Sequence, residues 1–351
     1  MRKISACLGL FLLFPALAFA RAEYKIVTAS ERGTYIQIGR DLAKWVADPA
    51  AVDLEVLSSK GSAENVQRLR YEPGVKFALV QSDVYQAFLD QAKAGDDPAG
   101  RIIRPLRVVL PLYDEEIYFV TRADSPLTYI HEIKDKKISV GPVGSGTALS
   151  ATTLYRLMFG QVLPEANASY ISNEEALVKL TTDKSVDVVV IVAGQPAKLF
   201  ADMKPEVRKY IKLLRLDEKA PETTRATTTY FPASIRAASY PSWFAEDVPT
   251  LTVKAFLVTY DYNLLMTQKS LIHFAESLCR NFDNLQNQGH PKWKQVKMEL
   301  PPLGKGWAYY PPMERVLRTC VARRATAVKS APPPIVKKCG QQEKVLGLCG
   351  M

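Results

Sequence analysis

The chain has 351 residues and a formal net charge of +10 at pH 7, enough length for two cores of ordinary size and a modest excess of positive charge. No dense Lys/Arg run is interleaved with aromatics, which speaks against a nucleic-acid partner. A field of this sign instead favours small anions arriving by diffusion.

Residues 1–20 read as a secretory signal. Arg2 and Lys3 form a positive start, an apolar run follows to Phe19, and Ala18-Phe19-Ala20 supplies the small-x-small pattern cut after Ala20. The expected location is periplasmic, and removal of Arg2 and Lys3 takes the charge from +10 to +8. Cys7 leaves with this segment. Cys279, Cys320, Cys339 and Cys349 remain as disulfide candidates, an even number in an oxidising compartment. Sequence proximity favours Cys339–Cys349 and then Cys279–Cys320.

The body alternates strands and helices. "YKIVTA" (24–29) is a strand, and a turn leads into a helix from Thr34 to about Ala47, with Tyr35, Ile38, Leu42 and Trp45 on one face. "DLEVLSS" (53–59) precedes a second helix, and "KFALVQSD" (76–83) runs into a third from Val84. "IRPLRVVLPLY" and "EEIYFVTR" read as two further strands. "ISVGPVGSGTALSATTLYRLMF" (138–159) is a strand, a glycine-rich turn and a helix. "SYIS" and "SVDVVVIVA" (185–193) are strands around a helix near Glu174–Thr182. This alternation predicts an α/β fold with largely parallel sheets. From Val321 the Pro-, Lys- and Ala-rich end reads as a proline linker and a short cysteine-closed loop.

Five strand ends carry small, polar, turn-making residues just before a helix: 30–35, 60–65, 81–83, 141–147 and 193–196. The first N–H groups of a helix have no intrahelical partner, and with the helix dipole they suit a carboxylate or other oxyanion. "GPVGSGT" lacks the lysine of a phosphate-binding loop, because Gly146 stands in its place. A loop of donors without that cation suits reversible capture better than phosphoryl transfer. Ser145 and Thr147 also fit a purely helix-capping role.

The ordered segments "VTASERGTYIQIGRDLAKWV", "VLSSKGSAENVQRLRY", "FALVQSDVYQAF", "ISVGPVGSGTALSATTLYRLMFG" and "SVDVVVIVAGQPAKLF" resemble the TAXI family, the TRAP-associated extracytoplasmic immunogenic solute receptors. The resemblance runs from about Tyr24 to Arg318. It implies a two-lobed, type II periplasmic binding protein fold with a ligand cleft between the lobes and a two-strand hinge, near 115–120 and 228–233. By that resemblance residues 21–115 plus 238–320 form lobe I, 116–237 form lobe II, and 321–351 are a tail. It also implies capture of a small organic anion, glutamate-like or another dicarboxylate, and delivery to a TRAP-type membrane permease by a monomer without a cofactor. The departures are Ser30-Glu31-Arg32 before Gly33, Ile36-Gln37 after Thr34-Tyr35, and Asp135 in "IKDKKISV".

Lobe I is expected to offer Arg32, Thr34, Tyr35, Ser62, Asn65 and Gln81 to the ligand, and lobe II Gly144, Ser145, Gly146, Thr147 and Gln195. Tyr35 fits a packing aromatic equally well, Asn65 a core-facing position, and Gln195 a solvent-facing helix start. Catalysis is not expected. His131, His273 and His290 are scattered, no G-x-S-x-G elbow surrounds Ser145, and Glu115-Glu116 sit on a predicted strand whose alternate residues face opposite ways. A sensor subunit of an exported signalling system, or an interaction module with a vestigial pocket, would share these features.

Overall fold

The computed structural model describes residues 21–330 except 32, 94, 96, 242 and 305. The signal segment, Arg32, Cys339 and Cys349 therefore lie outside the described residues.

In the first half, β1 (Ala22–Val27), α1 (Thr34–Leu42), β2 (Val52–Leu57), α2 (Ser62–Tyr71) and β3 (Val75–Gln81) build a parallel unit in the order β2-β1-β3. A π-helical turn over Ala43–Ala47 continues α1. After α3 (Val84–Lys93) and α4 (Asp97–Ile103) comes β4 (Leu106–Arg122). The second half holds β5 (Ile138–Ser139), α5 (Gly146–Phe159), β6 (Ala168–Ser169), α6 (Asn173–Thr181) and β7 (Val188–Ala193), with β5, β6 and β7 parallel. Short helices α7 (Lys198–Ala201), α8 (Pro205–Arg208) and α9 (Pro221–Ala226) accompany β8 (Ile211–Leu213) and β9 (Phe231–Ile235). The chain returns through β10 (Val248–Tyr260) to α10 (Leu265–Gln288) and α11 (Pro311–Ser330).

Two strands tie the halves together. β4 and β10 run antiparallel from Leu106↔Tyr260 to Ile117↔Leu251. At one end β10 pairs with β3, and at the other β4 pairs with β7. The result is a two-lobed α/β protein whose hinge is this crossing pair. Each lobe's sheet is covered on both faces, and side chains alternate between them as a pleated strand requires. Ile26, Phe77 and Leu79 pack with Phe274, Leu278 and Trp293, whereas Val27, Ala78 and Val80 pack with Val66, Phe88 and Ile103. In the second lobe Ile117 and Phe119 meet Leu154 and Met158, while Tyr118 and Val120 meet Leu180 and Phe200. Burial on both faces explains why these strands read as near-continuous apolar runs.

Three expectations are corrected. The stretches read as two strands at 103–113 and 115–122 include one continuous β4 of 17 residues, which belongs to both lobes. The second hinge strand is β10, not 228–233: Phe231–Ile235 is five residues long and pairs only with the first part of β10, whereas the 13-residue β10 is long enough to cross. Tyr240, Trp243 and Val248 accordingly pack in the second lobe's core, so the return to lobe I comes at the crossing rather than at 238. Finally, Val321–Ser330 continues α11 and is not linker. The alanines and arginines of "VARRATAVKS" are good helix formers, and the prolines that suggested a linker begin only beyond Ser330. A disulfide joins Cys279 of α10 to Cys320 of α11, one of the candidate pairs. Among the described residues no helix is long and apolar enough to cross a membrane.

Candidate functional site

The strand-end turns of the two lobes meet at the middle of β4. After β2, Gly61 caps α2 with φ +129°, and a Cβ there would stand 2.9 Å from the backbone nitrogen of Gly146, the first residue of α5. Two helix N-termini from opposite lobes thus point at one spot. Gln81, at the end of β3, fills it: a Cβ on Gly146 would fall 2.1 Å from Gln81 Oε1. Ser62 Oγ accepts from Gln81 N at 3.0 Å and donates to Gln81 Oε1 at 3.4 Å. Ser62 and Gln81 are buried, and Gly144, with φ +82°, turns its loop beside Lys60.

Two adjacent glutamates of β4 take the remaining turns. Tyr35, on the buried face of α1, donates its hydroxyl to Glu115 Oε2 at 2.7 Å. Gln195, following β7, donates through Nε2 to Glu116 Oε1 at 2.8 Å and through its backbone N–H to Glu116 Oε2 at 3.1 Å. Lys292, buried beside Gly194, donates to Gln295 Oε1 at 2.8 Å. Across the lobes, Tyr230 donates to buried Asp83 at 2.9 Å, and Arg156 of α5 pairs with Asp90 of α3.

Burial sets the electrostatics. It pushes the Glu115 carboxyl up to about 7 despite the Tyr35 hydroxyl and the Lys292 charge that favour ionisation. Burial likewise lifts Asp83 to about 6, against the hydrogen bond from Tyr230, and raises Glu116. The Lys292 ammonium is pushed down by burial and held up by Glu116, Glu115 and Asp114. Burial thus favours the neutral over the ionised form of the Glu115 carboxyl, which makes the seam less anionic than two ionised glutamates would be. Among the described residues no group of three or more His, Cys, Asp or Glu side chains is arranged to hold a metal ion.

Several expected ligand residues carry internal roles in this arrangement. Asn65 donates to Thr28 O at 2.5 Å and Leu79 O at 2.7 Å, and accepts from Ser59 Oγ at 2.6 Å. Its amide ties strand ends together, because the first turn of α2 faces the sheet. Ser145 accepts from Ala148 N at 3.0 Å as the N-cap of α5, and Thr147 Oγ1 accepts from Val192 N at 3.3 Å. Gln195 is fully engaged, since it also donates to Ser234 O and accepts from Arg236 N, both at 2.8 Å. Thr34 opens α1 and is half-buried, while Glu31, the residue before Arg32, pairs with Arg40. Tyr35, Ser62, Gln81 and the backbone nitrogen of Gly146 are the ones brought to the seam.

Glu115, Glu116, Asp83, Tyr230 and Lys292 were not legible as members of a site. Glu115 and Glu116 do turn to different lobes, as strand alternation demands, yet both end buried at the point of convergence. Lys292 in "HPKWKQ" has no local sequence signal, because its burial comes from Gly194, a distant residue of the other lobe.

The model of the NMT1-like family matches residues 26–300. The chain belongs to the NMT1-like family. That span takes in both lobes, the crossing strands and the whole seam of this NMT1-like chain. Among solved structures it is similar to XAC2383 from Xanthomonas citri bound to ATP, at 12% identity over 87% of this chain and 98% of that one, with a TM-score of 0.46. A putative periplasmic sulfonate-binding protein SsuA from Methylobacillus flagellatus aligns at 11% identity over 88% of each chain, with a TM-score of 0.46. The arginine-, lysine-, histidine-binding protein ArtJ from Geobacillus stearothermophilus aligns at 14% identity over 81% of this chain and 97% of that one, with a TM-score of 0.45.

Proposed function

We propose that this NMT1-like protein is a periplasmic solute receptor of the TAXI type that captures a small organic anion by lobe closure and delivers it to a TRAP-type permease. The observation that carries the reading is the meeting of the α2 and α5 N-termini, from opposite lobes, at Gly61 and Gly146. Two positive helix ends facing one point attract a carboxylate, and opening along β4 and β10 would admit it. Tyr35, Ser62, Gln81 and the amides of Gly146 and Thr147 would receive it, with Thr34 and Gly144 at the rim. Hydrogen bonds to a charged group are worth ~1.5–3 kcal/mol each, and micromolar binding needs about 8 kcal/mol net. Four to six such donors meet that requirement without a metal or a covalent bond. The protein acts as a carrier, not a catalyst.

Calorimetric titration with glutamate, short dicarboxylates and their neutral amides tests this. Heat is expected with a carboxylate and not with its amide, and it should weaken in Ser62→Ala. Silence across every carboxylate would overturn the reading. One observation favours a second reading: the Gln81 amide already occupies the space between the two helix ends. A permanently shut seam would make this an interaction module, and Gln81→Ala would then create no carboxylate affinity.

A further inference from the structure

Beside the Asp83–Tyr230 contact lies a cavity of about 810 Å³, within the range of small-molecule sites, which shares with the seam only Asp114 and Gln295, the neighbours of Lys292. Ser82, next to Asp83, and Thr229 and Phe231, on either side of Tyr230, belong to its wall. Both lobes contribute. Trp307, Phe256 and Gln86 come from the first, Leu157 and Phe231 from the second.

Its walls have a definite chemistry. Trp307 is held rigidly: its Nε1 donates to Ser82 O at 2.8 Å, and its ring meets Phe256 edge-on at 5.0 Å. Phe231 is 41% exposed, a large aromatic left uncovered on the opposite wall. Most wall amides and hydroxyls are already engaged, Gln86 with Asp90, Gln295 with Lys292, and Ser82 Oγ with Lys254 N. Four charged side chains line it, Lys254, Asp114, Lys297 and Glu299, and the first two form a close pair. Lys254 Nζ donates to Asp114 Oδ1 at 2.7 Å, both side chains are partly exposed (40% and 46%), and Lys254 Nζ lies 5.7 Å from the Phe231 ring. An ammonium keeps further N–H donors and a carboxylate further acceptor sites after making one bond to each other.

We infer that this cavity is a binding site for an α-amino acid with an aromatic or bulky apolar side chain. Its carboxylate meets Lys254, its ammonium meets Asp114, and its side chain lies among Trp307, Phe256 and Phe231. A zwitterion completes both charges at once, whereas an acid or an amine alone serves only one. Edge and face contacts with fixed aromatic rings add affinity for a flat side chain.

The test is calorimetry on the whole protein with phenylalanine and tryptophan, with 3-phenylpropionate and phenethylamine as one-charge controls. The amino acids should bind, and each control should bind about tenfold more weakly or worse, since one charge-assisted bond is lost. Asp114→Asn should weaken phenylalanine by a similar factor. Gly304→Phe should abolish its binding without unfolding the protein, because a Cβ at Gly304, on the cavity wall, meets no atom within 4 Å. Ser62→Ala, which touches only the seam, should leave it unchanged. No binding of either amino acid, equal binding of 3-phenylpropionate, or binding lost in Ser62→Ala but kept in both cavity variants would each overturn the inference. Dicarboxylate titrations read the seam separately, so the failure of one site is distinguishable from the failure of the other.

Discussion

Gly61 and Gly146 stand against each other across the lobes, with 2.9 Å between the position of a Cβ on Gly61 and the Gly146 nitrogen. Gly61 also holds φ +129°, which L side chains rarely adopt. Gly61→Ala should therefore lose about 1 kcal/mol or more of stability and weaken carboxylate binding. Gly160→Ala is the control, because Gly160 has φ +69° and open space around its Cβ position. It should show the backbone cost alone, in urea melts, with carboxylate binding unchanged. Equal behaviour of the two variants in both measurements would remove the case for a tight seam.

Tyr35→Phe deletes the hydroxyl that Glu115 accepts at 2.7 Å. A buried carboxyl left without that partner should cost about 1–3 kcal/mol, read as a lower urea midpoint at constant m-value. A stability equal to the parent's would show that the bond contributes nothing.

Stability should depend on pH through the same carboxyl. Burial raises Glu115 from 4.5 to about 7 and Asp83 from 3.8 to about 6. Between those values the folded protein holds protons that the unfolded chain releases, so this contribution to stability is greatest below about pH 4 and falls as pH rises towards 7. Above that it is flat. Glu115→Gln should flatten the slope between about pH 4.5 and 7 in denaturant titrations, and an unchanged slope would place the proton elsewhere.

The Cys279–Cys320 bond closes a segment with a sequence separation of 41. Loop-closure entropy for that length gives about 4 kcal/mol. The double variant Cys279→Ser, Cys320→Ser should lose a stability of that order, with α10 and α11 still packed through Phe274, Leu278, Met313 and Leu317. Loss of the fold itself would show that the bond is required for packing and does more than constrain the unfolded chain.

The elements were legible where local chemistry decides them. Apolar runs bounded by turns marked β1, β3 and β7, and "SGT" after a strand marked the start of α5 with Ser145 as its cap. The convergence of the strand-end turns followed from chain order, since ends of parallel strands that precede helices lie on one edge of the sheet. Asn65 and Gln195 do lie in strand-end turns, but their partners, Leu79 O and Glu116, belong to other strands and are not readable from the turn itself.

By itself the sequence determined alternating strands and helices, the glycine-rich start of α5 and an even set of candidate disulfide cysteines, because periodicity, turn chemistry and cysteine count are local properties of the chain. Only the tertiary structure decided that β10 is the second crossing strand, that Glu115, Glu116, Asp83 and Lys292 become buried together, and that an aromatic cavity opens beside them. Those outcomes depend on which distant residues exclude water from each group. Burial of that kind is set by packing between elements, and no short stretch of sequence specifies it.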